Sequence, residues 1–535
     1  MPTLVLALGG AARADTPTHR ATIKRVIAAA ERTQAVQSFR REHRDARRPA
    51  PYWDGVKWNV AYYTGGRQQL EVVMTSRDQV VHIWTGLESR APFTRGGFGG
   101  TVDAPWLWVP CCLLFLAPFV DPRRPFRMLH LDLLALLGFG VSYGFLSHGA
   151  AAAAIWSFYP VLLYLLGRML WTGFRGRRQR GRLVPYATTK VLVIGLVALT
   201  GARIGLNLSA HTRLDISYAS VVGADRIWHK EPLYVDDNAH PDTYGPLMYA
   251  AYVPFELAFP WKGNWDYLPA AHAAAIAFDL LTLLGLVLLG RRLRAGPQGT
   301  RLGLALAWAF AAFPFTLFGL MESTNDGLIA MLLVWMLVVF SSPAARGALV
   351  GAAAAAKFFP GALLPLVAFG PGERDRRKVA ASLAVGAGIF VFAVWMYLPA
   401  GGLRAFWNCT LGYQLTRPPD FSLWALHSGI GWTKTVLEAL AIGLAVVVSF
   451  VPRRRSLIQA AALAAAVTIA LQLPAGHWFY LYIVWFMPLV LVALFGAYLS
   501  EDEPDGGELQ AGRLHEQVDL VGVARAREEH QLVGA

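Results

Sequence analysis

A few charged side chains lie within or directly beside long apolar stretches of this sequence. Asp215 follows the apolar run 190–208, and a carboxylate at such a boundary can take the proton from an attacking hydroxyl. Lys357 lies inside the apolar stretch 347–370, where a charge is costly and points to a functional site. The competing interpretations are a solvated loop acid for Asp215 and, for Lys357, an ammonium group that extends to the membrane surface.

Three further basic residues lie in or beside apolar stretches, namely Arg203, His211 and His477. Side chains of these types can bind an anionic group without a metal ion. Arg203 equally suits a side chain that extends to the membrane surface, and His477 next to Trp478 suits an interfacial aromatic belt. We expect no metal site, because two of the three cysteines are adjacent in an apolar run and the third has no evident partner.

The composition indicates a membrane protein. Only 16% of the 535 residues are charged and 55% are hydrophobic, whereas a soluble domain carries about 25% charged residues. Apolar runs recur between residues 104 and 499, which excludes a soluble enzyme, a disordered protein and a disulfide scaffold. We predict an all-α polytopic fold with about 11–13 transmembrane segments. Two of these segments, 244–261 and 347–370, contain internal prolines and are expected to be broken or re-entrant.

The net charge of +14 is explained by membrane topology better than by nucleic-acid binding. Loop 172–190 contains several basic residues and no acid, and short basic loops of this type stay in the cytoplasm. Counting spans from this loop places the acidic loop 207–243 and the N-terminal region outside, and the C-terminal tail inside. We therefore expect a multi-pass plasma-membrane protein that does not bind nucleic acid.

The two ends of the chain differ from the apolar middle. The expected regions are a possible signal-peptide remnant at 1–14, a small α+β extracytoplasmic domain at 15–95, a Gly-rich linker at 96–103, a multi-span membrane domain at 104–499 and a disordered acidic cytoplasmic tail at 500–535. A frayed terminus is the alternative for 1–14. In the α+β domain, a helix over 20–50 is followed by alternating runs at 56–63, 69–74 and 79–84, typical of an antiparallel meander. This pattern resembles the small PepSY-like modules outside bacterial membranes.

Several motifs occur in an order that resembles glycosyltransferase family 87. The series consists of Asp215-Ile-Ser-Tyr218, Leu233-Tyr234, Tyr244-Gly245-Pro246-Leu247, Ser323-Thr324-Asn325-Asp326, Lys357-Phe358-Phe359-Pro360 with Leu363-Leu364-Pro365, and His477-Trp478. The resemblance covers about residues 190–500. Three positions depart from the family pattern and leave the donor sugar open: Gly245 replaces a proline, Asp326 follows the asparagine, and one histidine stands where two are usual.

The resemblance implies an inverting GT-C membrane enzyme that takes a sugar, mannose in this family, from a polyprenyl-phosphate donor. It implies a lipid or glycan acceptor on the outer face of a bacterial plasma membrane, and no cofactor or metal. Asp215 would be the general base, and Lys357, His477, Arg203 and His211 would bind the donor phosphate. The expected substrate-binding residues are Tyr218, Tyr234, Tyr244, Asn325 and Asp326.

An alternative interpretation gives these expected substrate-binding residues a purely structural role. The tyrosines also suit interfacial anchors, and Asn325 with Asp326 suits a helix N-cap. The outer loop 399–434, which contains Arg417 and Asp420, is a further candidate acceptor contact. The absence of a P-loop and of a dinucleotide glycine fingerprint favours a lipid-linked donor over a nucleotide donor.

Two other function classes remain open on the sequence alone. A transporter or lipid flippase would use the intramembrane acids Asp279 and Glu256 to relay protons or bind substrate. Such a protein is expected to show an internal repeat, and the sequence has no convincing symmetry. A non-catalytic assembly or sensing protein would use its outer module to bind a partner.

Overall fold

A computed structural model describes residues 17–46, 49–54, 56–97, 103–176, 179, 181–210, 214–234, 242–265, 267–370 and 375–498. The expectations for the signal-like start 1–14 and for the tail 500–535 lie outside these residues. Most of the predicted linker and His211 lie outside them as well.

The N-terminal region is a small α+β unit. Its elements are the helices Pro17–Glu31 and Gln34–Glu42 and the strands β1 (Ala50–Trp53), β2 (Trp58–Thr64), β3 (Arg67–Met74) and β4 (Val80–Thr85), which pair antiparallel in the order β1-β2-β3-β4. Strands occur at all three predicted positions. The prediction missed β1, a four-residue edge strand whose Pro51 is tolerated only because the edge leaves that backbone position unpaired on one side. The single predicted helix is two helices, because Thr33 caps the second one by accepting from the Val36 amide.

One face of this sheet packs on the two helices. Side chains alternate along a strand, and the even-numbered positions of β2 and β3 form the buried core with the helices: Val26, Ala30, Val36, Phe39, Trp58, Val60, Tyr62, Leu70, Val72 and Met74. The alternation in the sequence thus arises from burial against the helices.

The rest of the described chain is a helical membrane domain, which confirms the predicted all-α polytopic class. Six helices are long and apolar enough to cross a bilayer: Met128–Ser147, Ala151–Arg175, Thr189–Ser209, Pro269–Leu293, Arg376–Met396 and Gly431–Phe450. The pair Gly296–Ala312 and Pro314–Met321, bent by 62°, brings the number to seven if it forms one span. Shorter apolar helices are Pro105–Leu116, Asp326–Val338, Phe359–Ala368, Leu457–Gln472 and Tyr480–Gly496.

Both proline-containing segments are interrupted, as the sequence predicts. Segment 244–261 contains the short helices Pro246–Ala250 and Val253–Ala258. Segment 347–370 contains the end of helix Pro343–Ala356, a 3₁₀ helix over Phe359–Leu363, and helix Leu364–Ala368. Proline removes a backbone donor and clashes with the preceding turn, so these segments bring loop backbone and polar side chains into the membrane domain.

The remaining helices lie outside these spans, and Gly86–Arg90 and Pro92–Arg95 among them belong to the N-terminal unit. They are Gly86–Arg90, Asp215–His229, Gly402–Cys409, Leu411–Thr416 and Leu423–Leu426, with 3₁₀ helices at Pro92–Arg95, Ser428–Ile430 and Tyr480–Tyr482. The last helix of the described chain is Ile483–Gly496. The candidate site is built where these short elements meet the interrupted segments.

Candidate active site

Asp215 is the first residue of the helix Asp215–His229. The N-terminal end of a helix carries a partial positive charge that favours a carboxylate at this position. The next turns fix the helix to the turn before Asp326, because Ser217 Oγ donates to the Ser323 carbonyl (3.1 Å) and Asn325 Nδ2 donates to Ser220 Oγ (3.0 Å). The predicted base is therefore held in register with the Asn325 turn.

The turn that contains Ser323 is strained, and hydrogen bonds from other helices fix it as well. Ser323 has φ +49°, a left-handed conformation that a serine adopts at a cost. Asn207 Nδ2 donates to the Leu320 carbonyl (2.6 Å) and to Ser323 Oγ (3.0 Å), and His272 Nδ1 lies 3.1 Å from both Asn207 Oδ1 and Ser323 Oγ. Asn207 and His272 were not among the predicted site residues, and their only signal in the sequence is a polar side chain near one end of an apolar span.

Lys357 and Asp326 form a buried ion pair. The ammonium group of Lys357 contacts the Asp326 carboxylate, to which Trp485 Nε1 also donates (2.6 Å). Lys357 Nζ lies 5.2 Å from the ring centre of Tyr244 and 5.1 Å from that of Trp485, which are cation–π distances. Because Lys357 is only 8% exposed, it does not extend to the membrane surface.

Asn325 occupies the N-cap position of helix Asp326–Val338 without acting as a cap. Within the described ranges, its side chain makes no capping hydrogen bond, and its amide donates to Ser220 instead. The structural alternative for this residue is thus not supported. Asn325 connects the helix that begins at Asp215 to the helix that begins at Asp326.

Gly245 explains one departure from the family pattern. Its amide donates to the Ala356 carbonyl (3.0 Å), and a Cβ at this position would lie 2.1 Å from the Ala355 carbonyl oxygen. A proline would lack the N–H and would clash. The glycine lets the chain pass against the end of helix Pro343–Ala356, which puts the Tyr244 ring over Lys357.

Tyr234 and Tyr218 have different surroundings. Tyr234 is buried with φ +64°; its hydroxyl donates to the Tyr244 carbonyl (2.9 Å) and its amide donates to Asp242 Oδ2 (2.8 Å). Asp242 also pairs with Arg226 (2.9 Å). Tyr218 packs against the rings of Trp261 and Trp265, at 5.5 and 4.4 Å between centroids. Tyr234 thus positions Tyr244, whereas Tyr218 belongs to an aromatic cluster.

A second cluster of charged groups surrounds His477. His477 Nδ1 lies 2.6 Å from Asp420 Oδ1, and the Arg417 guanidinium donates to Asp420 Oδ2 at 2.7 Å. Burial would raise the pKa of Asp420, but the neighbouring His477 and Arg417 lower it to about 2. Burial lowers the pKa of His477, so Arg417 is the cation that keeps Asp420 ionised at neutral pH. Because Nδ1 faces Asp420, Nε2 is the imidazole atom left to contact a ligand.

A cavity of about 220 Å³ lies beside this cluster. Its polar lining includes Arg417, Lys434 and His477, and its apolar lining includes Tyr482 and Trp485. Tyr482 stacks on Trp485 at 4.3 Å between centroids, and Trp485 is the donor to Asp326 described above. The cavity and the Lys357–Asp326 pair therefore share an aromatic wall.

Asp215 lies within electrostatic range of tyrosines around this cavity. Its charge acts on Tyr244 and Tyr482, which places its carboxylate within electrostatic range of both rings. Burial raises the pKa of Tyr413 in the outer loop; Arg417 opposes the rise and Asp215 adds to it. The structure thus brings together Asp215, Tyr244 and the cation-lined cavity.

Arg203 is engaged elsewhere. Its guanidinium donates to both carboxylate oxygens of Asp279, at 2.5 and 3.2 Å, and to the Ala311 carbonyl at 2.8 Å. It therefore joins helices Thr189–Ser209 and Pro269–Leu293 to the bend after Ala312. Glu256 is also buried, and its carboxylate accepts from the Trp261 amide. Neither Arg203 nor these two acids line the cavity among the described residues.

The full set of basic residues around the cavity was not predicted from the sequence. Arg417 and Asp420 were expected only in a candidate acceptor loop, and Lys434 had no predicted role. The available signal was weak: an Arg-Pro-Pro-Asp run from Arg417 to Asp420, which brings the two charges together at a chain reversal.

The fold and this site define a polytopic membrane protein with a buried cluster of charges next to a cation-lined cavity. Residues 243–474 match the model of glycosyltransferase family 87, and this part of the chain carries that family's sequence features. The match confirms the resemblance seen in the motifs. Tyr244, Lys357 and Arg417 lie inside the matched segment, whereas Asp215 and His477 lie outside it. No curated protein and no solved structure matches the chain.

Proposed function

We propose that this membrane glycosyltransferase moves a hexose, mannose by its family resemblance, from a polyprenyl-phosphate donor to a hydroxyl of a lipid or glycan acceptor on the extracytoplasmic side. The observation that carries the proposal is the cavity lined by Arg417, Lys434 and His477, with the Asp215 carboxylate within electrostatic range of Tyr482 in its wall. A sugar transfer of this type needs cations on the departing phosphate and a base on the attacking hydroxyl.

The donor phosphate fits the cavity by charge and by shape. Arg417, Lys434 and His477 supply N–H donors for phosphate oxygens, while Tyr482 and Trp485 supply an apolar wall for the first isoprene units. Lys357 lies behind Trp485. One of its three N–H donors is directed to Asp326, so it can add a donor only at the inner edge of the site.

Asp215 is the carboxylate best suited to act as the base. Asp326 is held by the Lys357 ammonium and the Trp485 indole, and Asp420 has a pKa of about 2 because Arg417 and His477 outweigh its burial. A carboxylate with such a low pKa is a weak base. In the proposed step, the acceptor oxygen attacks the anomeric carbon, the bond from that carbon to the phosphate oxygen breaks, and the hydroxyl proton passes to Asp215.

The transporter alternative is less well supported. Asp279 would have to exchange protons or bind substrate, yet its two carboxylate oxygens accept from Arg203. Both oxygens are therefore occupied by the guanidinium, and a bound substrate would have to displace it.

The test measures transfer from radiolabelled polyprenyl-phosphate-mannose in membranes that contain wild-type protein or Asp215→Asn. We expect the substitution to abolish most of the transfer, because the acceptor proton loses its base. Asp225→Asn is the matched control, since Asp225 lies on the same helix and pairs with the exposed His229. Full activity of Asp215→Asn would remove the base assignment, and no transfer by the wild type from any polyprenyl-phosphate sugar would remove the enzyme class.

A further inference from the structure

The N-terminal α+β unit contacts the membrane domain at His477 through the 3₁₀ helix Pro92–Arg95. The ring of Phe93 lies edge-on to three rings of the membrane domain, at centroid distances of 5.6 Å to Phe421, 5.8 Å to His477 and 5.6 Å to Phe479. Leu87, from the preceding helix, is buried in the core of the membrane domain. The unit is therefore docked on the wall that carries His477.

Contacts within the N-terminal unit fix one end of this 3₁₀ helix at Arg95. Arg95 contacts the fully buried carboxylate of Glu71 on β3, donates to the Glu88 carbonyl (2.7 Å), and lies 5.0 Å from the ring centre of Trp84. The Tyr52 hydroxyl donates to the same Glu71 carboxylate (2.9 Å). A buried charge with this many partners fixes the geometry around it.

The residues that follow the 3₁₀ helix are fixed by the membrane domain. The Gly97 amide donates to the Ser147 carbonyl at the end of helix Met128–Ser147 (2.9 Å). Gly96 has φ +89°, and a Cβ there would lie 3.0 Å from the same carbonyl oxygen. Phe93 is thus clamped between two anchors and is not carried on a loose segment.

Phe93 lies against His477, one of the residues proposed to bind the phosphate. His477 is 22% exposed, and it lines the cavity. Arg90, one turn before Phe93, lies within electrostatic range of Asp420. The N-terminal unit therefore contacts His477 through Phe93 and lies within electrostatic range of Asp420 through Arg90.

We propose that Phe93 is a positioning residue that closes the cavity at His477 and keeps water from replacing the acceptor. This inference rests on the proposed function. In the side reaction, a water oxygen attacks the anomeric carbon, the bond to the phosphate oxygen breaks, and the water proton passes to Asp215. Free sugar and polyprenyl phosphate are the products. Enclosure of a transfer site suppresses such hydrolysis.

The first test measures how donor turnover divides between transfer and hydrolysis in the full-length protein. Phe93→Ala is expected to raise the ratio of free mannose to transferred mannose several-fold, and Phe93→Leu is expected to restore most of the wild-type ratio. Trp53→Ala, on the partly exposed edge strand β1, is the control and should leave the ratio unchanged. A general loss of stability would lower both products together, so an unchanged ratio in Phe93→Ala would overturn the proposal.

The second test needs no catalytic activity. Cys111, Cys112 and Cys409 are replaced by serine, His477→Cys is added, and its labelling by a membrane-impermeant thiol reagent is timed with and without Phe93→Ala. Slow labelling that accelerates several-fold in the Phe93→Ala background supports the closure, and equal rates would overturn it. Accelerated labelling in a protein that turns over no polyprenyl-phosphate sugar would refute the proposed function and leave the closure standing.

Discussion

Removal of the Asp420 carboxylate is expected to weaken both the fold and donor binding. In the structure, Asp420 accepts from Arg417 (2.7 Å) and lies 2.6 Å from His477 Nδ1. The pKa of its carboxyl group falls from 3.8 to about 2, because the two neighbours outweigh the burial that would raise it. At about 1.4 kcal/mol for each tenfold change in affinity for the proton, this fall corresponds to about 2 kcal/mol of stabilisation.

The expected magnitude for Asp420→Asn is about 1–2 kcal/mol, since His477 contributes less when its imidazole is neutral. The loss should appear in the free energy of unfolding, measured by denaturant titration in detergent at pH 7 with tryptophan fluorescence. The KM for the polyprenyl-phosphate donor should rise about tenfold, because Arg417 and His477 are no longer aligned and 1.4 kcal/mol corresponds to a factor of ten. The change in kcat should be smaller than that in KM.

The pH dependence provides an internal check. The folded-state pKa of Asp420 lies below its unfolded value, so the contribution is complete above pH about 4 and is lost as the pH falls through about 2. The stability difference between wild type and Asp420→Asn should therefore shrink in this acidic range. Asp225→Asn, which removes a surface partner of His229, is the control and should cost at most about 1 kcal/mol. Equal stability of the two variants at pH 7, with an unchanged KM, would contradict the role given to the Asp420 carboxylate.

Two further substitutions test the inner part of the site. Gly245→Ala would place a methyl group 2.1 Å from the Ala355 carbonyl oxygen. We therefore expect the free energy of unfolding to fall by about 1–3 kcal/mol and transfer activity to be lost, and a fully active Gly245→Ala would contradict the close approach. The control Gly205→Ala should be tolerated, because no neighbouring group lies within 4 Å of that position. Lys357→Met and Asp326→Asn should each lower the free energy of unfolding, measured by denaturant titration, by about 3–5 kcal/mol. The double variant should lose much less than the sum of the two single losses. Additive losses would show that the two side chains do not act as a pair.

The class of the protein could be predicted from its sequence because membrane insertion depends on local composition. Runs of apolar residues must satisfy their backbone as helices, so the helical class follows from hydropathy alone. Interruptions at Pro254 and Pro360 follow from the missing backbone donors. The edge strand Ala50–Trp53 was missed because four residues give too little alternation.

Charge pairs within the membrane domain could not be predicted in the same way. Arg203 suggested a phosphate ligand and Asp279 suggested a transporter, yet these side chains bind each other across 76 residues of sequence. Lys357 and Asp326, also separate candidates, pair across 31 residues. A single intramembrane charge is a sound reason to expect function or pairing, but the choice between them depends on tertiary contacts that no local pattern records.

The number of N–H donors then decides where an anionic donor is best accommodated. At the inner cluster, the single cation Lys357 is already neutralised by Asp326, so a phosphate there would meet little net positive charge. Around the cavity, Arg417 pairs with Asp420 and Lys434 lies 3.8 Å from the partly exposed carboxylate of Glu438. Together with His477, these side chains bring three donor groups to the cavity, against one at the inner cluster. We therefore expect the outer cavity to hold the phosphate and the Lys357–Asp326 pair to keep Tyr244 and Trp485 in place. Arg417→Met should then raise the KM for the donor more than Lys357→Met does. The opposite order would place the phosphate at Lys357 instead.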